Sequence, residues 1–237
     1  MKAPQVPGFG VRGPGYGIRV PWLLLALLAA LAAYGFCGAD LQIARAIREW
    51  NAAYPGHGLR RLANGFGETG TLGLYPLAAL ALLVHAVWFR PDGRLRRTCL
   101  WLLAAEALNG LAGLALKCTL SRWRPNQPLE GVFVFLNGFK PKCNSFPSGH
   151  TADVAAVATV LWIVYPRWRP LYAAWVVAMA AARMGVMRHF LSDTALGAVL
   201  GIACALAARA WLPAIEARVA KAYRQFSCTQ RTGGMAL

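Results

Sequence analysis

Residues 20–39 carry no charge at all, a run as long as the ~20 apolar residues that a helix needs to cross the hydrocarbon core of a bilayer. Five further apolar stretches follow, at 71–89, 98–116, 148–165, 170–187 and 194–212. In lipid every backbone polar group must be satisfied within the spanning structure, so segments of this length and composition are expected to be helices. Overall composition agrees, because 57 % hydrophobic and 14 % charged residues leave too little polar surface to coat a soluble domain of 237 residues. The expected fold is all-α, a polytopic membrane protein formed by a six-transmembrane-helix bundle over 20–213. A disordered cytoplasmic N-terminal tail at 1–19 and a basic cytoplasmic tail at 214–237 flank it.

The Pro/Gly-rich residues 4–17 have the composition of a disordered segment. Lys2, Arg12 and Arg19 ahead of residues 22–33 also resemble a secretion signal cleaved after Ala39, an alternative to a retained first span. A lipoprotein site at Cys37 is disfavoured by the bulky Phe36 before it. Of 25 Lys and Arg, 14 fall on the side holding both termini in a six-span arrangement, which predicts cytoplasmic termini. Trp22, Trp88, Trp101, Trp162, Trp168 and Trp211 lie toward the same ends of the spans, as an interfacial belt would. Between the first two spans, Ile43, Ala44, Ile47 and Trp50 alternate with Arg45, Arg48 and Glu49, predicting an amphipathic helix on the outer surface.

The formal net charge is +16, yet the cations are scattered between apolar spans rather than gathered in one stripe, so nucleic acid is not an expected partner. Six cysteines form no CxxC pair, and no His/Cys spacing suggests a metal site.

Three motifs carry chemistry: Lys117 with Arg124-Pro125, then Pro147-Ser148-Gly149-His150, then Arg183 followed by His189 and Asp193. Each falls at a span end, and chain parity brings all three to one membrane face. Lys117, Arg124 and Arg183 supply positive charge, and the two guanidinium forks suit phosphate oxygens. Pro147, Ser148 and Gly149 mark a helix start whose free N–H groups attract an anion. His189 and Asp193 are four apart, so on a helix the carboxylate is expected to hold one ring nitrogen and free the other for attack on phosphorus. His150 remains as the acid for the leaving oxygen.

These motifs resemble the three-part signature of the type 2 phosphatidic acid phosphatase superfamily. The resemblance implies a phosphohistidine at His189, with Asp193 as its orienting partner and His150 as general acid. It also implies phosphate contacts from Lys117, Arg124, Ser148, Gly149 and Arg183, and neither metal nor other cofactor. One departure is Ala182, where the family usually has serine before the third-motif arginine. The expected function is hydrolysis of a lipid phosphomonoester or pyrophosphate, of phosphatidylglycerophosphate, undecaprenyl pyrophosphate, phosphatidic acid or lipid A type. The active site would face the periplasm from the inner membrane. Alternatives are a lipid phosphotransferase using the same intermediate and a non-catalytic scaffold or transporter.

Blander readings apply elsewhere. Lys117, Arg122 and Arg124 alone would read as ordinary juxtamembrane cations, a reading that yields beside the other two motifs, while His57 and His85 read as surface or packing residues. Glu106 and Asn109 should share the inward face with Lys117 and bond between helices, while Asp153 favours its helix N-terminus. Cys118 and Cys143 are a candidate disulfide across one outer loop, against the alternative of two buried or interfacial thiols.

Overall fold

A computed structural model describes residues 22–55, 58–68, 74–88 and 92–233. The N-terminal tail, His57 and the first residues of the second predicted span lie outside them. Eight helices run through the described residues: α1 (Trp22–Tyr34), α2 (Asp40–Ala53), α3 (Gly58–Glu68), α4 (Leu74–Trp88), α5 (Gly93–Thr119), α6 (Gly149–Val164), α7 (Arg169–Gly185) and α8 (Leu191–Gly233). All six predicted apolar segments are mainly helical over their described residues. By length and composition three helices can cross a membrane, Trp22–Ala53, Gly93–Thr119 and Leu191–Val219. Leu74–Val87 and Gly149–Val164 are shorter apolar helices.

Local chemistry sets the ends. Asp92 caps α5 by accepting from the N–H groups of Arg94 and Leu95 at 2.8 and 3.1 Å, so this helix starts five residues before the predicted 98. Pro170 lies in the first turn of α7, where its missing N–H costs nothing. Gly38 interrupts the first helical stretch at φ 119°, a conformation that favours glycine, and turns the chain from α1 into α2. The single amphipathic helix expected over 40–70 is two, α2 and α3, parted near Tyr54 and Pro55. α8 runs through Pro213, beyond the predicted end of the last span at 212.

The centre of the bundle is α5, α6 and α8. Trp101, Ala105, Ala156, Val160, Ala205, Ala208 and Leu212 form its main buried cluster, and the Trp101 indole N–H donates to the Ala205 carbonyl at 2.7 Å. Two glycines one turn apart on α8 permit this packing: a Cβ on Gly197 would lie 2.5 Å from the Ser148 carbonyl oxygen, and one on Gly201 only 2.1 Å from that of Ala152. The site-bearing start of α6 is thereby seated against α8.

Between α5 and α6 lies a feature that the all-α expectation omits. β1 (Leu120–Arg122) and β2 (Phe133–Phe135) pair antiparallel, with Arg122 opposite Phe133. Cys118 and Cys143 are both free thiols, Cys143 buried, so the candidate disulfide is absent.

Candidate active site

α5 carries Lys117 in its last turn, the hairpin then carries Arg122 and Arg124, α6 begins at Gly149, α7 ends beyond Arg183, and His189 precedes α8. The three motifs therefore meet at one end of the bundle. Lys117, Arg124 and Arg183 all act electrostatically on His189, and the same three act on His150. The Lys117 ammonium stands beside the first turn of α6, since a Cβ on Gly149 would lie 3.5 Å from its Nζ. Arg183 is buried under α3, where a Cβ on Gly67 would come within 2.5 Å of its Nη1.

His189 is 3 % exposed, and its Nδ1 lies 2.6 Å from the backbone carbonyl of Ser145. A carbonyl only accepts, so Nδ1 bears the proton and Nε2 keeps its lone pair. Burial first, then the charges of Lys117, Arg124 and Arg183, hold the imidazole well below the usual histidine range. It is a neutral nitrogen among cations. The Arg124 guanidinium is lowered to about 10, by burial and then by Arg188 and Arg183, which leaves it charged at neutral pH. Its Nη2 donates to Asn144 Oδ1 at 2.6 Å, while its Nε is buried with no hydrogen-bond partner among the described residues. His150 Nε2 is likewise buried and unpartnered. An unmet buried donor or acceptor costs about 1–3 kcal/mol, so two in one cationic cluster mark where a ligand's oxygens fit.

Two expected contacts differ. Asp193 makes no hydrogen bond to His189 among the described residues; it accepts from Ser145 Oγ at 2.6 Å, the Phe190 N–H at 2.8 Å and Arg122 Nη1 at 2.7 Å. The helical spacing rule fails here because His189 lies before α8 begins at Leu191. Asp193 instead acts through Ser145, fixing the residue whose carbonyl holds the imidazole. Ser148 is fully buried, and its hydroxyl lies 3.0 Å from that of Thr151, with its N–H given to the Asp193 carbonyl. Occupying the N-cap of α6 turns its side chain into the first turn. Asn109 on α5 donates to Asp153 on α6 at 2.6 Å, an interhelical bond of the kind expected for Asn109, while Glu106 Oε1 is buried with no hydrogen-bond partner among the described residues.

The residue that sequence reasoning undervalued is Arg122. Only 4 % exposed, it donates to Asp193, to Ser192 Oγ at 2.8 Å, to Asp40 Oδ2 at 2.8 Å and to the Gly131 carbonyl at 3.2 Å. The Phe190 ring lies 4.2 Å from its guanidinium carbon, with Phe133 and Phe36 farther off. Asp40, at the start of α2, also accepts from the Ser192 N–H at 3.0 Å. One buried ion cluster thus joins the N-terminal helices, the hairpin and α8. Nothing in the spacing separates Arg122 from the cations around it. Asp40, a lone acid directly after an uncharged span, was a usable signal.

Fold and site together define a membrane-integral helical protein with a cluster of cations around two histidines. Residues 98–216 match the model of the PAP2 superfamily, and the chain belongs to that family. Two curated relatives are lipid A 1-phosphatases of Rhizobium etli and Rhizobium johnstonii, each 30 % identical over 104 residues, or 43 % of this chain. The match spans 44 % and 42 % of those proteins, less than half their length. Among solved structures, Aquifex aeolicus LpxE is 26 % identical with TM-score 0.54, over 72 % of this chain and 94 % of that one. The PAP2-type phosphatidylglycerolphosphate phosphatase of Bacillus subtilis is 17 % identical with TM-score 0.55, over 82 % and 96 %, a likeness of fold.

Proposed function

We propose that this protein is a lipid phosphatase that cleaves a lipid phosphomonoester or pyrophosphate through a phosphohistidine at His189. The observation that carries the reading is the neutral His189 ring, its Nδ1–H committed to Ser145 and its Nε2 free beside three cations. Nε2 attacks phosphorus while Lys117, Arg124 and Arg183 meet the charge that builds on the equatorial oxygens. His150 protonates the departing lipid oxygen, then takes a proton from the water that splits the phosphorus–nitrogen bond. The first turn of α6, from Gly149 and His150, contributes backbone N–H groups to the anion. The lipid A 1-phosphatase relatives support a lipid substrate.

The same reading includes six membrane spans, both termini cytoplasmic, and α2 and α3 lying along the outer face of an inner membrane. It rests on the helices that cover the six apolar segments, the 14 cations of the terminal side and the amphipathic pattern of α2. In a cysteine-free background, an outside label should reach Gln127→Cys and miss Gly93→Cys; the reverse pattern would put the site on the cytoplasmic side.

Phosphate release by the purified protein across a panel of lipid phosphates tests the chemistry. Activity should persist with chelator, be blocked by vanadate, which mimics five-coordinate phosphorus, and vanish in His189→Ala. Removing one cation, as in Arg124→Ala, should lower kcat by on the order of 100-fold. Full activity in His189→Ala would refute the mechanism.

A further inference from the structure

A file of polar side chains runs between α5 and α6, from the middle of the bundle to the site, and the reaction above uses only its last member. Glu106, Asn109 and Lys117 recur along one face of α5, at separations of three and eight residues. Asp153 faces them from α6, one turn beyond Gly149 on the same side of that helix. It lies past the first turn of α6, where a carboxylate no longer favours the helix N-terminus. Two contacts fix the file in space. Asn109, 3 % exposed, donates through Nδ2 to Asp153 Oδ1 at 2.6 Å, and the Lys117 ammonium stands 3.5 Å from where a Cβ on Gly149 would be. Asp153 acts electrostatically on both Lys117 and Glu106, the two ends of the file.

Two buried atoms of this file, Glu106 Oε1 and Asn109 Oδ1, have no hydrogen-bond partner among the described residues. The Asn109 amide gives its N–H to Asp153, so its oxygen needs a donor, and the side chain one turn before it is an acid. An ionised Glu106 would put a second anion near Asp153 among apolar helices and would offer Asn109 only another acceptor. A protonated Glu106 satisfies both atoms with one hydrogen bond. Asp153 is the ionised acid of the two, because the Lys117 cation is on its side. The bonds then run one way, from the Glu106 O–H to Asn109 Oδ1 and from the Asn109 N–H to Asp153, which faces the ammonium. We propose that Asp153, oriented by Asn109 and a neutral Glu106, is a positioning residue that holds Lys117 beside Gly149, where its charge meets the substrate's phosphate. This rests on the phosphatase reading above. Lysine needs such a partner more than the arginines do, since its charge rides on a flexible four-carbon stem and Arg124 and Arg183 repel it.

The test measures orthovanadate binding to the full-length protein in detergent, from the rise of Tm with vanadate concentration, so that turnover is not needed. Bare electrostatics predicts tighter binding in Asp153→Asn, because a negative charge near an anion site has gone. Loss of a positioning residue predicts the reverse, a Kd raised on the order of tenfold. Added to Lys117→Gln, the same substitution should change Kd by less than about twofold, since no ammonium is left to position. Glu106→Gln, which keeps a donor for Asn109, should lose less affinity than Glu106→Met, which keeps only bulk. Vanadate binding by Asp153→Asn as tight as by wild type or tighter overturns this assignment alone, as do equal affinities of the two Glu106 variants. So does a loss that persists in full in the Lys117→Gln background, which marks a purely structural role. No vanadate binding by wild type overturns the phosphatase reading with it.

Discussion

Arg122→Met removes the guanidinium from the centre of the buried cluster and keeps its aliphatic bulk. Four hydrogen bonds disappear, to Asp193, Ser192, Asp40 and the Gly131 carbonyl. Two carboxylates, 2 % and 0 % exposed, then lack a cation. Deleting one partner of a buried ion pair costs about 3–5 kcal/mol, because the remaining charge is stranded. The low end applies, since Asp193 keeps Ser145 and the Phe190 N–H while Asp40 keeps the Ser192 N–H. For a chain of this length, roughly 3 kcal/mol corresponds to a fall in Tm of about 6–12 °C. Thermal unfolding in detergent micelles reads it. Adding Asp40→Asn should restore part of the loss, because one stranded charge is gone, so the double variant falls short of the sum of the singles. A Tm for Arg122→Met within about 2 °C of wild type would refute the assignment of this cluster as the tie between α2, the hairpin and α8.

Gly201→Val should prevent close contact of α6 and α8 and sharply reduce the folded yield. Gly110→Ala, with open space around its Cβ position, should be tolerated; equal yields of the two would refute the packing argument. The lowered pKa of His189 means that the unfolded chain binds more protons than the folded one just below pH ~6.5. Stability that is fully present above that pH is therefore lost as the pH falls, and His189→Gln should flatten this slope in Tm between about pH 5 and 7. A slope unchanged by that substitution would contradict a buried neutral imidazole.

Much of the fold was legible because membrane helices announce themselves: length and apolarity marked all six segments before any packing was known, although Glu106, Asp153, Arg183 and Arg209 fall inside four of them. Boundaries were less secure. α5 begins at a cap that Asp92 supplies ahead of Arg94, Arg96 and Arg97, which a search for apolar runs discards. The hairpin escaped because three-residue strands have too little pattern to read. The motifs singled out His189, His150, Lys117, Arg124 and Arg183 from residue type and spacing, and the fold brings them to one end of the bundle.

Partnership was another matter. Four-residue spacing linked Asp193 to His189, but spacing orients two side chains only when both lie on one helix, and α8 begins between them. The carbonyl that holds His189 belongs to Ser145, 44 residues earlier, and the carboxylate nearest Arg122 in the N-terminal half is Asp40, 82 residues away. Backbone acceptors carry no sequence signal, because every residue has one. Residue type and hydropathy thus determined the helices and the chemical parts, while the tertiary packing of α6 on α8 and of α2 on the hairpin decided which part holds which. Hydrogen bonds depend on distance in space, and that distance is set by close contacts such as those at Gly197 and Gly201, which the chain meets only once it has folded.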